Sequence, residues 1–141
     1  MLRWCGVKVG KNVRINSSAK ISGDGELEIS DDVWIGSGCR FISVGDAKVK
    51  IGAHCDFGPE VMILTGSHEI DPNGLHIGGK GISASVTIGD GCWIGARSTI
   101  LPGVILGAKN LVAAGAVVTR SVDVEKSLIA GSPAKIKKTY T

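Results

Sequence analysis

The sequence predicts an all-β chain wound as a parallel β-helix with three flat sides. Three observations carry that expectation. From Ile88 onward an aliphatic residue falls at every sixth position: Ile88, Ile94, Ile100, Leu106, Val112, Val118, Val124 and Ile136, with only Ala130 smaller. Isoleucine, leucine and valine make up 38 of the 141 residues, so nine arbitrary positions would catch about two or three of them. Six is neither the helical period of ~3.6 nor the strand period of ~2; it is the spacing of short parallel strands joined by tight corners. Finally, glycine commonly follows the grid aliphatic, as in Ile35-Gly36, Ile51-Gly52, Ile88-Gly89, Ile94-Gly95 and Leu106-Gly107. A residue without Cβ relieves crowding where the chain bends.

Taken in chain order, Val9, Ile15, Ile21 and Leu27 share one register of six. Ile29, Ile35 and Phe41 share another, shifted by two, and Ile51, Phe57 and Ile63 return to the first. The shifts at Leu27–Ile29 and Phe41–Ile51 predict corner bulges within a single domain spanning residues 1–141. Small residues recur four places after a grid aliphatic, at Ala19, Cys39, Cys55, Cys92, Ser98, Ala116 and Ala134. Three hexads close a coil of about 18 residues, and about seven coils at ~4.8 Å spacing give a prism some 30 Å tall. Inward aliphatics stack from coil to coil, which is how a solenoid is stabilised. Hydrophobic content of 43% with only 4% aromatic suits a narrow interior of Ile and Val without rings. The grid is interrupted between Ile63 and Ile88, where glycines and Asp71-Pro72-Asn73-Gly74 predict a projecting loop around residues 66–85.

Composition narrows the function classes. A net charge of +3 without an arginine cluster or interleaved aromatics argues against a nucleic-acid partner. No apolar run approaches the ~18 residues of a membrane span, so no membrane insertion is expected. Met1-Leu2-Arg3-Trp4 is no signal peptide, and the expectation is a cytoplasmic protein. Cys5, Cys39, Cys55 and Cys92 lack Cys-x-x-Cys spacing, so they read as small buried fillers and no metal is expected.

The segments Thr65-Gly66-Ser67-His68-Glu69-Ile70-Asp71-Pro72, Val86-Thr87-Ile88-Gly89-Asp90-Gly91-Cys92-Trp93-Ile94-Gly95, Leu101-Pro102-Gly103-Val104-Ile105-Leu106-Gly107, Gly115-Ala116-Val117-Val118-Thr119-Arg120 and Ala130-Gly131-Ser132-Pro133-Ala134-Lys135 occur in order over residues 63–137. Together they resemble the hexapeptide-repeat acetyltransferases, in particular the maltose and galactoside O-acetyltransferases and those of bacterial polysaccharide biosynthesis. The resemblance implies a left-handed β-helix, acetyl-CoA as cosubstrate without a metal, and a homotrimer with sites between subunits. The repeat begins by Val9, without the N-terminal helical segment of the maltose and galactoside enzymes, which favours the polysaccharide or nucleotide-sugar branch.

By that resemblance His68 is the catalytic base. A sugar hydroxyl is a weak nucleophile at neutral pH, and an imidazole can take its proton during attack. Glu69 and Asp71 are candidates to orient the imidazole or meet the acceptor. Trp93 walls the substrate tunnel, and Trp34 is expected to be structural. Ala96, Ala114, Thr119 and Arg120 would line the CoA groove, with Lys135 near its nucleotide end. The galactoside enzymes present an acceptor-contacting Asn where the best register here puts Gly38, so the acceptor differs or is held otherwise. Competing readings are N-acetylation of an amino sugar, a non-catalytic scaffold, and a γ-class carbonic anhydrase. The last needs three converging histidines, and His54, His68 and His76 lack its spacing.

Overall fold

The computed structural model describes residues 6–141; the first four residues and Cys5 lie outside the described residues. The first face pairs Val7–Val9, Glu26–Ile29, Lys48–Ile51, Val86–Ile88 and Ile105–Leu106 in parallel. The second pairs Arg14–Ile15, Trp34–Ile35, Asp56–Phe57, Trp93–Ile94, Leu111–Val112 and Ser127–Gly131, then adds Ala134–Thr139 antiparallel. The third pairs Lys20–Ser22, Arg40–Ile42, Met62–Leu64, Thr99–Ile100 and Val117–Val118. The coils number about six, not seven, because residues 66–83 and 134–139 form hairpin strands outside the winding.

Grid residues supply the interior. Ile29, Ile51, Ile88 and Leu106 stack behind the first face, Ile35, Phe57, Ile94 and Val112 behind the second, and Phe41, Ile63, Ile100 and Val118 behind the third. Both phenylalanines are buried, edge to face with ring centroids 5.6 Å apart, so the interior does admit rings. Phe41 lies in the coil that ends at extra corner residues, and Phe57 in the coil that ends at the projecting segment. Those extra residues, Gly23–Gly25 and Ser43–Ala47, all fall at the corner from the third face to the first, and bond to one another. Gly45 N donates to Asp24 Oδ1 at 2.8 Å, and Val44 N to Thr65 Oγ1 at 2.9 Å. The expected bulges therefore form a pedestal under the projecting segment.

Glycines after the aliphatics do not turn the corners. The left-handed backbone falls three places after the inward residue, at Asn12, Asp32, His54, Gly91 and Lys109 on one corner (four places at Lys126) and at Gly38, Glu60, Arg97 and Gly115 on the next. The following glycine is there because coils touch: a Cβ on Gly95 would lie 2.6 Å from both Ala114 N and Val112 O. Cys39, Cys55, Cys92, Ser98 and Ala116 are buried, as expected of the small slot. The three thiols donate to the carbonyls of Gly58, Gly89 and Gly107 respectively. Burial raises the Cys39 pKa, and the Cys92 thiol together with burial raises that of Cys55.

The grid fails after Val118. Val124 and Ile136 are 50% and 46% exposed, and the inward positions are taken by Val122, bridged to Leu106, and by Ile129, over Val112. Asn110, itself buried, holds this irregular stretch. Its Nδ2 donates to Gly107 O and Val124 O, and its Oδ1 accepts from Ser127 N.

Candidate active site

Residues 66–83 project as an antiparallel hairpin, Gly66–Ile70 against Gly78–Ser83, more ordered than the loop the glycines suggested. Its root is fixed by buried Thr65, whose carbonyl accepts from Ala84 N at 2.8 Å. His68 sits on the first strand, paired with Gly81 and exposed. Its Nδ1 lies 2.9 Å from the Gly79 carbonyl oxygen. A carbonyl only accepts, so Nδ1 carries the proton and Nε2 keeps its lone pair free. Val44, Gly45, Gly66, Ile82 and Ser83 complete a cavity of about 430 Å³ around it.

The imidazole is thus oriented by a backbone carbonyl and not by Glu69 or Asp71. Glu69 sits at a register irregularity between His68 and Ile70, and its carboxylate makes no hydrogen bond or ion pair among the described residues. The Asp71 carboxylate accepts from Asn73 N at 3.2 Å, closing the turn at the arm's tip.

On the second face lies an apolar groove of about 510 Å³. Trp93, Ala96 and Ala114 line it together with Trp34, Pro59 and Leu111. Trp93 and Trp34 stand on strand faces, 57% and 51% exposed, rather than at corners. Asp56 lies between them, paired with each. At the rim, Arg97 Nε donates to Glu60 Oε2. Gly38 lies beneath with φ 68°, where a Cβ would come within 3.2 Å of the Glu60 side chain. Thr119, Arg120 and Lys135 are exposed but line neither this groove nor the His68 cavity. His54, His68 and His76 are not brought together, and no group of three His, Cys, Asp or Glu placed to hold a metal occurs among the described residues. No helix among them is long and apolar enough to cross a membrane.

Comparison with known proteins adds four findings. A family model described as the hexapeptide repeat of succinyl-transferase matches residues 85–120. An Escherichia coli protein named as a colanic acid biosynthesis acetyltransferase is 31% identical over 122 residues, 86% of this chain and 64% of that one. This chain therefore spans less than two thirds of that relative's length. A hexapeptide-repeat-containing acetyltransferase from Vibrio cholerae, solved with acetyl coenzyme A, is 27% identical, with a TM-score of 0.66 over 94% of this chain and 67% of that one. A Caulobacter crescentus protein solved with CoA and GDP-perosamine is also 27% identical, with a TM-score of 0.69 over 94% of this chain and 52% of that one. The shared fold is the left-handed parallel β-helix.

Proposed function

Because this chain belongs to the hexapeptide-repeat acetyltransferase family, we propose that it transfers an acetyl group from acetyl-CoA to a sugar hydroxyl, with His68 as general base. The observation that carries this reading is the His68–Gly79 bond, which holds Nδ1–H and makes Nε2 the basic nitrogen of the neutral ring, on an exposed arm. The hydroxyl oxygen attacks the thioester carbonyl carbon as its proton passes to Nε2. The tetrahedral adduct then expels the CoA sulfur, which takes the proton back from the imidazolium. During the step the Gly79 carbonyl holds Nδ1–H and stabilises the transient cation.

The apolar groove with Trp93, Ala96 and Ala114 suits the pantetheine arm of acetyl-CoA. Arg120 and Lys135 supply positive charge for its phosphates, without a Walker-type loop. The groove shares no lining residue with the His68 cavity. A threefold assembly, in which the arm of one chain reaches the groove of the next, makes each site whole. Colanic acid biosynthesis is named for the Escherichia coli relative, which supports a polysaccharide precursor as acceptor. GDP-perosamine in the Caulobacter protein supports the second reading, transfer to an amino sugar.

Thiol release from acetyl-CoA, followed across hydroxyl and amino-sugar acceptors, tests the proposal. His68→Ala should lower turnover ~10²–10⁴-fold with assembly unchanged. A variant that keeps full turnover removes the mechanism.

A further inference from the structure

The N-terminal half of the second face carries a polar concavity that acetyl transfer, as described, leaves unused. Arg14, Asp32, Trp34, His54 and Asp56, with Asn12 at the edge, line about 470 Å³. That falls within the roughly 300–1,000 Å³ typical of small-molecule pockets. Two features of the coil assemble it. Arg14, Trp34 and Asp56 form one outward row on three successive strands. Asn12, Asp32 and His54 are the left-handed corner residues beside that row.

The side chains are not consumed by holding the fold. Asp32 Oδ2 lies 2.9 Å from His54 Nδ1, with the two side chains 53% and 64% exposed. A pair that open to water contributes little to stability. Neither Arg14 nor Asp56 forms a side-chain hydrogen bond or ion pair among the described residues. Half of the Trp34 surface faces solvent. The result is an indole wall bordered by two carboxylates, a guanidinium and an imidazole with Nε2 free.

We propose that this concavity is a saccharide subsite, seating an uncharged pyranose ring of the acceptor against Trp34. A pyranose has one face of C–H groups, which covers apolar aromatic surface, and a rim of hydroxyls that both donate and accept. Asp32 and Asp56 accept from hydroxyls, Arg14 donates to ring or hydroxyl oxygens, and His54 Nε2 accepts from one more. Two carboxylates repel a diphosphate, so the nucleotide part of a sugar donor is not the occupant. Trp34 also borders the apolar groove, so a glycan held here extends towards it. Calling this sugar the acceptor rests on the acetyl-transfer reading; the binding itself does not.

The test is calorimetric titration of the full chain, without acetyl-CoA. The probes are methyl glucoside, methyl galactoside, methyl mannoside, N-acetylglucosamine, maltotriose and UDP. At least one neutral sugar should bind. Trp34→Ala and Asp56→Asn should each weaken it about tenfold or more, the loss of one contact of ~1.4 kcal/mol or more. Lys50→Ala, on another face, should leave it unchanged, and circular dichroism should show all three variants folded. Binding by no sugar in the panel, binding indifferent to both pocket variants, or UDP binding more tightly than every sugar would each overturn the subsite. A chain that binds sugar through Trp34 but releases no thiol would sink the acetyl-transfer reading and leave the subsite standing.

Discussion

His68 shows how one backbone atom can set the chemistry of a side chain. The Gly79 carbonyl fixes the tautomer, and Gly79 has little room to change. A Cβ there would lie 3.1 Å from Asp71 Cβ and 3.3 Å from Glu69 O. Gly79→Ala must therefore shift the strand opposite His68 and misplace the acceptor of Nδ1–H. Turnover should fall on the order of tenfold while KM for acetyl-CoA holds, since only the positioning of the base is disturbed. Steady-state kinetics of the variant check this, and unchanged kcat would mean that Gly79 does not orient the imidazole. The motif made His68 legible but suggested carboxylates beside it. The acceptor of the ring N–H lies eleven residues away on the partner strand, and a backbone carbonyl leaves no mark on residue type.

At the scale of the element, six-residue periodicity is a reliable guide only while each coil closes in three equal sides. It placed the inward residues through Val118 and then overran, because the next coil is shortened and the chain turns back as a hairpin. Asn110 makes that departure possible by satisfying carbonyls that no strand reaches. Asn110→Ala should cost about 1–3 kcal/mol, since it leaves the N–H of buried Ser127 unpaired. Urea unfolding should show a lower midpoint at constant m-value, and a loss well under about 1 kcal/mol would mean that water replaces the side chain. Nothing about the residue type of Asn110 distinguishes it in the sequence from a corner residue.

For the whole molecule, the arm is the part that the proposed threefold assembly would use. Ile70, Leu75 and Ile77 are 74%, 101% and 69% exposed there, apolar surface with no partner within one chain. The arm meets the coil at Thr65 and Ala84, already joined by a backbone hydrogen bond. Replacing residues 67–82 with a short turn should leave the coil folded, abolish thiol release and weaken the proposed trimer. Light scattering and circular dichroism, read together, check all three. An unfolded product would show that the arm supports the coil itself, and an intact trimer would place the subunit contact elsewhere.

The sequence alone determined the winding, its inward residues through Val118, the small buried slots and the position of the projecting segment. These follow from local period, which each hexad repeats in its own side chains. Tertiary structure decided the rest: the carbonyl that orients His68, the separation of that histidine from the apolar groove, and the row of Arg14, Trp34 and Asp56. Side chains that stack across coils lie about twenty residues or more apart in the chain, and no local pattern records which of them will meet.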